Sequence, residues 1–343
     1  MKIGIHQRTG SFSENWIKYC DENRIEYKIV NAYDSDIIEQ LKDCDAFMWH
    51  HHHAIISDLL FAKQLCSAIE ESGIIVFPNY KTSWFFDDKV AQKYLLEGIH
   101  APMVPSYVFY HKKKAIQWAQ TTQYPKVFKL RGGAGSSNVK LVHNYSEAKS
   151  IIQRAFGQGF RQTRIKDLIR EQYRKYKMGL IRFKNLTNYC LGLAVTTETL
   201  GRKYHVEKGY AYFQDFIPQN NFDIRICVVN NKAFAIKRMC RKDDFRASGS
   251  GEIIYSKNSI DLRCVKISLE LSKKLQTQSI GIDYIFDTNN NPLIVEIGYG
   301  FTPSGYINCE GYWDFDLNWH EGSHFDFCGW MIENIIKQIN EKK

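Results

Sequence analysis

Short apolar runs alternate with amphipathic segments along the first 79 residues of the chain. Four runs have the length and composition of strands, at residues 2–5, 27–30, 46–49 and 74–77. The segments 14–23 and 57–72 instead carry apolar residues at helical spacing. Because crossover helices connect parallel strands, this alternation predicts a small α/β unit with a parallel sheet.

The pattern changes after residue 83. An N-capping aspartate, Asp87 or Asp88, precedes a helix that is expected to reach Glu97 and to end at Gly98. Later helices are predicted at 112–121 and after Ser146, and later strands at 104–110, 126–130, 138–142, 210–217, 224–230, 233–239 and, as a hairpin, 281–297. This mixture predicts an α/β (α+β) protein, and 343 residues suffice for two domains or three smaller ones.

The composition is that of an ordinary globular protein, with 44% hydrophobic and 24% charged residues, which excludes a disordered chain. No apolar stretch is long enough for a membrane helix, and the first residues lack the pattern of a signal peptide. The nine cysteines are an odd number without a CxxC pair, so neither disulfides nor a zinc site is predicted. A reduced, soluble, cytoplasmic protein is expected.

The net charge of +9 is concentrated in part in the basic segment, residues 161–184, where only Asp167 and Glu171 are acidic. This segment is either a solvated helix face or an element that meets a polyanionic substrate. Nucleic acid is not predicted, since no recognition helix, zinc finger or ribonucleoprotein pattern occurs.

Four consecutive histidines, residues 50–53, follow the third predicted strand. Because consecutive residues rarely converge on one ion, a loop at the C-terminal end of the strand is favoured over a metal site. Open α/β sheets bind ligands at that end of their strands, so a contact with substrate stays open.

Two carboxylates lie in the predicted hairpin near the C-terminus. If Asn289-Asn290 forms a two-residue turn, Asp283 falls directly opposite Glu296, with Cβ atoms about 5 Å apart. Their neighbours are apolar, and two carboxylates in such surroundings repel each other unless a cation lies between them. Mg²⁺ shared with substrate phosphates meets this need. An ion pair with lysine or arginine meets it too, and a slipped turn would separate the two residues.

Basic residues flank the same predicted sheet. Alternation puts Asp223 and Arg225 on one face, and the hairpin partner is expected to bring Lys237 or Arg241 toward them. Several cations beside a carboxylate pair suit a polyphosphate.

A run of small residues joins two further predicted strands. Lys129 precedes residues 132–137, whose glycines and serines would let backbone N–H groups approach phosphate oxygens. The segment has neither the Gly-Lys-Ser/Thr of a P-loop nor the helix of a dinucleotide fingerprint. It indicates a phosphate-binding loop or a plain hairpin.

Together these elements resemble the ATP-grasp superfamily, over about residues 84–296. The motifs are most similar to the glutathione synthetase and ribosomal-protein glutamate ligase branch, in the order 214–217, 223–225, 237–238, 244–248, Asp283 and Glu296. The resemblance implies an ATP-grasp fold that follows an N-terminal parallel-sheet domain, with domains at 1–83, 84–209 and 210–343. The tail, at 296–301 and 311–319, is similar to an uncharacterised group associated with bacterial surface-polysaccharide gene clusters.

The resemblance assigns a role to each candidate residue. Lys89 and Lys129 are expected to hold the α- and β-phosphates of ATP, and Asp283 and Glu296 to bind Mg²⁺. The loop over the phosphates comprises Gly132, Gly133, Gly135, Ser136 and Ser137, and the other nucleotide-binding residues are Gln214, Asp215, Phe216 and Ile217 at the adenine, Asp223 near the ribose, and Lys237. The expected catalytic residues, which neutralise the γ-phosphate or the acyl phosphate, are Arg225, Arg241 and Arg246, with Arg238 an alternative to Arg241.

One position departs from the family pattern. Gly298 replaces the asparagine that usually follows the metal-binding glutamate by two residues. Either a second Mg²⁺ has fewer protein ligands, or Tyr299 or Ser304 compensates, or the second metal site is weakened. One or two Mg²⁺ ions are therefore compatible with the sequence.

Members of the superfamily usually phosphorylate a carboxylate with ATP and then let an amine displace the phosphate. The resemblance therefore implies an ADP-forming carboxylate–amine ligase that joins an amino acid or another amine to a carboxylated sugar or a small precursor of a surface polysaccharide. The expected partners are these substrates, an acidic saccharide at the basic segment and a second copy in a homodimer, without nucleic acid or membrane. A small-molecule kinase and a non-catalytic nucleotide-binding protein are the alternatives.

Overall fold

A computed structural model describes residues 1–53, 55–132, 139–161, 206–240, 252–322 and 325–342, with short pieces at 173, 176, 182–185, 187–188 and 247. These residues form two compact units, Met1–Val104 with Ile217–Lys343, and Pro105–Phe216. Both units combine helices and sheets, so the predicted α/β (α+β) class is confirmed. The predicted domain 1–83 falls within the larger unit, as does 210–343 apart from residues 210–216, and the domain boundaries stay a prediction. No helix in the described ranges is long and apolar enough to cross a bilayer.

The elements are numbered here in chain order. The helices are α1 (Phe12–Glu22), α2 (Ile37–Gln40), α3 (Ile56–Glu71), α4 (Tyr80–Ser83), α5 (Lys89–Gly98), α6 (Lys112–Thr121), α7 (Tyr145–Phe156), α8 (Leu262–Leu275) and α9 (Phe327–Lys342). The strands are β1 (Lys2–His6), β2 (Glu26–Val30), β3 (Ala46–Trp49), β4 (Ile75–Phe77), β5 (Ser106–Phe109), β6 (Lys126–Lys129), β7 (Lys140–Val142), β8 (Phe160–Arg161), β9 (Val206–Glu207), β10 (Ala211–Asp215), β11 (Phe222–Val229), β12 (Lys232–Met239), β13 (Ile253–Ile254), β14 (Ser279–Phe286), β15 (Pro292–Gly298), β16 (Gly311–Trp313) and β17 (Trp319–Glu321).

Strands β1 to β4 form a parallel sheet in the order β2-β1-β3-β4. Ile3 and Met48 are fully buried on one face and Phe47 and Trp49 on the other, as expected for a parallel sheet that is covered on both faces. The predicted N-terminal parallel sheet is confirmed, and the histidine run forms the loop after β3. Because β1 lies between β2 and β3, the crossover direction reverses there, at the point where open α/β sheets bind ligands.

The seven-stranded sheet of the larger unit follows the order β15-β14-β11-β12-β16-β17, with β13 beside β12. Side chains alternate between its two faces. Ile224 and Ile226 pack against α5 and α8, whereas Cys227 and Val229 pack against α9 and the N-terminal core. At the start of β11 this second face becomes charged, beginning with Arg225. One face therefore carries both an apolar anchor and a polar cluster.

The β14–β15 hairpin pairs Asp283 with Glu296, as predicted, but through a different turn. The loop spans residues 287–291 rather than Asn289-Asn290 alone. Asp287 organises it, because its carboxylate accepts hydrogen bonds from two backbone N–H groups within the loop.

A β-bulge restores the predicted register. Phe286 pairs with Pro292, one residue away from the register that a two-residue turn would give. The register then shifts next to Asp283, leaving Val295 as the extra residue, so that Glu296 lies opposite Asp283 after all.

The smaller unit contains an antiparallel sheet in the order β5-β10-β6-β7. Helices α6 and α7 cover one face, where Phe128 and Phe213 pack against Ala115 and Ile152. Helix α6 has the predicted bounds, whereas β5 is shorter than predicted.

Asp88 determines where α5 begins. Its side chain accepts hydrogen bonds from the backbone N–H groups of Val90 and Ala91, at 3.1 and 3.0 Å, so Lys89 is the first helical residue. We expect Asp88→Ala to cost about 1 kcal/mol of stability, as typical for a lost N-cap, and to lower the melting temperature by about 2 °C. Thermal unfolding monitored by circular dichroism measures this change. Asp88→Asn retains a capping oxygen and is the control; an equal loss in both variants would contradict the capping role.

Candidate active site

Four charged side chains form a connected network on one face of the large sheet. Arg225 donates from Nε and Nη2 to Asp283, at 2.5 and 2.7 Å. Arg238 donates in the same two-pronged way to Asp223, at 2.6 Å for both bonds, and its Nη2 also lies 3.1 Å from Asp283 Oδ2. Asp283 thus contacts two guanidinium groups.

Strand register explains this arrangement. Arg225 is the direct cross-strand partner of Asp283, and Arg238 is the direct partner of Asp223. Burial by itself would raise the pKa of Asp283, but the two guanidinium groups hold it at about 2. Asp283 is therefore ionised at physiological pH although it is almost completely buried.

A second ion pair lies beside this network. Lys89, the first residue of α5, contacts Glu296 with a 3.0 Å distance between Nζ and Oε1. Burial would lower the pKa of Lys89, but the charges of Glu296 and Asp87 raise it overall, so the ammonium group persists. One turn further along α5, Gln92 accepts a hydrogen bond from the backbone N–H of Ile297, which fixes the helix against β15.

Both predicted metal ligands are thus paired with basic side chains, which is the alternative that the sequence left open. Asp283 and Glu296 nevertheless lie directly opposite each other, and carboxylate oxygens are the ligands that Mg²⁺ prefers. Within the described ranges, no three histidine, cysteine or acidic side chains are grouped to hold a metal. The residues fit an ion that these two carboxylates share with phosphate oxygens, and the metal assignment stays a prediction.

Lys237 does not join the cluster, so the expectation that it approaches Asp223 and Arg225 is wrong. It is the cross-strand partner of Ile224, on the opposite face, and its Nζ lies 3.8 Å from the centre of the Phe222 ring. Because side chains alternate along β12, Arg238 occupies the cluster instead. The predicted catalytic residues Arg241 and Arg246 lie outside the described residues.

In the smaller unit, Lys129 has a buried polar partner. Its Nζ donates to Gln214 Oε1 at 2.5 Å, and Gln214 Nε2 donates to Ser106 Oγ at 3.1 Å. On the opposite face of the sheet, Lys126 pairs with Asp215 at 2.5 Å. The structure therefore brings Lys129 together with Gln214, at the end of the strand that leads to Phe216 and Ile217. Of the predicted phosphate loop, only Gly132 is among the described residues, where it is buried; Gly133, Gly135, Ser136 and Ser137 are not.

Gly298, at the position where the family usually has asparagine, lies beside the ring of Phe86. A Cβ atom there would be in ordinary contact with the ring, at 3.4 Å, so packing does not require a glycine. Tyr299 is completely buried and its hydroxyl donates to the carbonyl of His51 at 2.6 Å, so it cannot compensate as a metal ligand. Ser304 is exposed in a short 3-10 turn.

The histidine loop is held in place by several hydrogen bonds. His50 Nδ1 accepts from the backbone N–H of Phe12 at 3.0 Å. Asp58 accepts from the backbone N–H of His52 at 2.6 Å and from the hydroxyl of Tyr33 at 2.5 Å. Burial lowers the pKa of His51 to about 3, so its imidazole ring is neutral at physiological pH.

Sequence reasoning missed Gln92 and Asp58. Gln92 lies three residues after Lys89, a spacing that puts both on one face of a helix and could have indicated its role. Asp58 carries no comparable signal, because its contacts depend on the course of the loop after β3.

A family profile described as a RimK-like ATP-grasp domain matches residues 195–302. No curated protein sequence matches the chain significantly. Among solved structures, the chain is similar to D-alanine–D-alanine ligase from Bacillus anthracis, with 15% identity, a TM-score of 0.56 and 100% of both chains covered. A structure of that ligase complexed with ATP has a TM-score of 0.52 and also covers 100% of both chains at 15% identity.

Two further solved structures are similar. A RimK domain ATP-grasp protein from Sphaerobacter thermophilus DSM 20745 has 13% identity and a TM-score of 0.56, covering 98% of this chain and 100% of that one. The second is the biotin carboxylase domain of Hydrogenobacter thermophilus 2-oxoglutarate carboxylase in complex with MgADP and bicarbonate. It has 13% identity and a TM-score of 0.58, and the match covers 98% of this chain and 69% of that one.

Identities of this size show the fold. The protein has the ATP-grasp fold, and the predicted resemblance is confirmed. Within that fold, residues 195–302 are similar to the RimK-like ATP-grasp domain.

The face assignment of β12 can be tested with two neighbouring variants. We expect Arg238→Met to destabilise the protein by about 3 kcal/mol or more, because it leaves the buried Asp223 carboxylate without its partner. Lys237→Met, which loses only a contact with an aromatic ring, should cost about 1 kcal/mol or less. Thermal unfolding measures the loss of stability in each variant, and titration with Mg·ADP measures its affinity for the nucleotide. Equal losses of stability and of Mg·ADP affinity in the two variants would contradict the assignment.

Proposed function

We propose that the protein is an ATP-dependent carboxylate–amine ligase that releases ADP and phosphate. The observation that carries this proposal is the cross-strand pair of Asp283 and Glu296 among the cations Lys89, Arg225 and Arg238. Such a cluster suits a divalent ion together with a polyphosphate, because each compensates charges that the cluster buries. The similarity to a protein named D-alanine–D-alanine ligase supports this reaction class.

Each candidate residue has a role in the proposed reaction. Mg²⁺, held by Asp283 and Glu296, supplies charge neutralisation at the phosphates of ATP when it is bound. The phosphate-binding lysines are Lys89 and Lys129, the loop over the phosphates is 132–137, the adenine-binding residues are 214–217, and Asp223 lies at the ribose. Arg225, Arg241 and Arg246 neutralise the transferred phosphoryl group.

Two bond exchanges make up the proposed reaction. A substrate carboxylate oxygen attacks the γ-phosphorus, the bond to the β-phosphate oxygen breaks, and ADP leaves. The amine nitrogen then attacks the carbonyl carbon of the acyl phosphate, the bond between carbon and phosphate oxygen breaks, and the nitrogen loses a proton. Phosphoryl transfer depends mainly on positioning and charge neutralisation. Arg225 and Arg238 provide charge neutralisation without acting as nucleophiles.

The substrates we propose are an amino acid or another amine and a carboxylated sugar or small precursor of a surface polysaccharide. Support comes from the likeness of the tail to an uncharacterised group associated with bacterial polysaccharide clusters, and from the basic segment 161–184, which suits an acidic saccharide. We also propose that the protein acts as a homodimer.

A kinase that stops after phosphoryl transfer is the second candidate, favoured by the missing asparagine at Gly298. Phosphorus NMR separates the two. The protein, ATP and Mg²⁺ would be incubated with a small-molecule extract of the source organism, beside a control without extract. A ligase gives extract-dependent ADP with an equal amount of free phosphate. ADP with a new phosphate-ester signal instead would establish the kinase and contradict the ligase.

Glu296→Gln tests the metal-binding role. The amide still accepts a hydrogen bond from Lys89 but lacks the negative charge, so we expect extract-driven ADP formation to fall by about 100-fold or more, as when one electrostatic contact to a transition state is lost. The melting-temperature increase that Mg·ADP gives with the unaltered protein should also disappear. Glu310→Gln, at an exposed acidic residue outside the cluster, is the control. Unchanged Mg·ADP stabilisation in Glu296→Gln would contradict the proposed role.

A further inference from the structure

Arg8 has a half-buried guanidinium group that lacks an ionic partner. It follows β1, at the switch point of the parallel sheet. Its Nη2 donates to the carbonyl of His50 at 3.2 Å, and its Nε is buried without a hydrogen-bond partner. No ion pair joins Arg8 to a carboxylate in the described part of the chain. A partly desolvated guanidinium group without a direct ion pair is costly, so an anion in contact with it is expected.

Two acidic residues of the adjoining helices, Asp58 and Glu14, form no ion pair with Arg8 in the described part of the chain. Asp58 is close enough for the charge of Arg8 to act on it, but both of its oxygens already accept hydrogen bonds, from Tyr33 and from the backbone of His52. Glu14 accepts from the backbone N–H of Gly10 at 2.8 Å. Both carboxylates therefore hold the surrounding loops, and neither forms an ion pair with the guanidinium group.

The backbone of Arg8 is fixed before any ligand arrives. Its N–H donates to Ser13 Oγ at 2.9 Å, and its carbonyl accepts from Ser11 Oγ at 2.8 Å and from Ser13 Oγ at 3.2 Å. A residue that is already ordered loses little entropy on binding, which favours affinity. This is typical of a binding residue and unnecessary for a solvated surface arginine.

The loop beside Arg8 is polar, and its histidines are uncharged because burial lowers the pKa of His50 and His52. His50 stacks on Phe12 with ring centres 3.8 Å apart, and its Nδ1 is already occupied. His52 and His53 continue the loop with rings 4.1 Å apart. His53 lies close enough to Glu296 and Lys89 for their charges to act on it. The loop therefore extends from Arg8 to the cluster at which the proposed reaction occurs, all within the larger unit.

We propose that Arg8 binds a carboxylate that does not react, so that one substrate of the ligase proposed above carries a second carboxylate. The inference depends on that function for the identity of the ligand as a substrate. The planar guanidinium group matches a carboxylate in geometry as well as in charge. The terminal nitrogens of Arg8 make the contact, since Nε is buried, and the neutral histidines exclude water without adding charge.

The test compares simple carboxylates as probes at constant ionic strength, which removes general salt effects. Malonate, succinate, glutarate and L-glutamate are titrated into the full-length protein by calorimetry, beside succinamide and inorganic phosphate. We expect at least one carboxylate to bind and succinamide not to bind. Arg8→Gln should weaken that binding by about 10-fold or more, as for a lost charged hydrogen bond. Arg8→Lys, which keeps the charge without the planar fork, should show a smaller loss.

Arg24→Gln is the matched control, at an exposed arginine of the same unit, and should bind the probes like the unaltered protein. Unfolding without ligand checks that Arg8→Gln is folded. Binding of no carboxylate, equal binding to Arg8→Gln, or Arg8-dependent binding of phosphate alone would each overturn the proposal.

A separate titration with Mg·ADP distinguishes this inference from the proposed function. Arg8→Gln should bind Mg·ADP normally, because Arg8 is outside the nucleotide-binding residues. Arg8-dependent carboxylate binding without any Mg·ADP binding would support the site while contradicting the ligase. Mg·ADP binding without carboxylate binding would contradict the Arg8 site while remaining consistent with the ligase.

Discussion

The charged face of the large sheet depends on one constraint, that two carboxylates on neighbouring strands must share a largely desolvated position. Asp283 and Glu296 would repel each other there if nothing compensated their charges. Arg225 and Arg238 bind the first, and Lys89 binds the second. Removing Arg225 or Arg238 leaves the buried Asp283 with less compensation, which costs more than an exposed ion pair contributes. Register, helix position and site chemistry are therefore coupled.

Helix α5 connects this electrostatic requirement to the fold. Its cap fixes the first residue, Lys89, against Glu296, and Gln92 bonds to the backbone next to that glutamate. Leu96, further along the helix, belongs to the apolar core beneath the sheet. Packing of the later turns of this short helix thus holds Lys89 beside Glu296. The same division recurs on β11, where Arg225 lies beside a buried apolar stretch that holds the strand in place.

Local pattern predicted most of the fold because alternation and helical spacing are encoded within a few residues. The parallel sheet, helix α6 and the pairing of Asp283 with Glu296 follow from such patterns. The loop at Asp287 and the bulge at Val295 do not follow from local pattern. The loop shifts the register by one residue and the bulge shifts it back, so the predicted pair is formed although neither feature is predicted. The prediction for Lys237 is wrong because the sequence does not show which of two adjacent basic residues faces the site. The register of β11 with β12 places Arg238, not Lys237, opposite Asp223.

The glycines after Glu296 differ in how closely other residues approach them. A Cβ atom at Gly300 would lie 3.2 Å from His50 Nε2, and one at Gly298 would meet Phe86. The absence of a side chain at Gly300 lets His50 pack closely against this strand. At Gly298 a Cβ atom would be in ordinary contact with the Phe86 ring, so the departure from the family pattern does not follow from packing there. Gly300 therefore contributes close packing of the loop, and the ligand binding that we propose for the larger unit depends on Glu296, on its opposite aspartate and on Arg8.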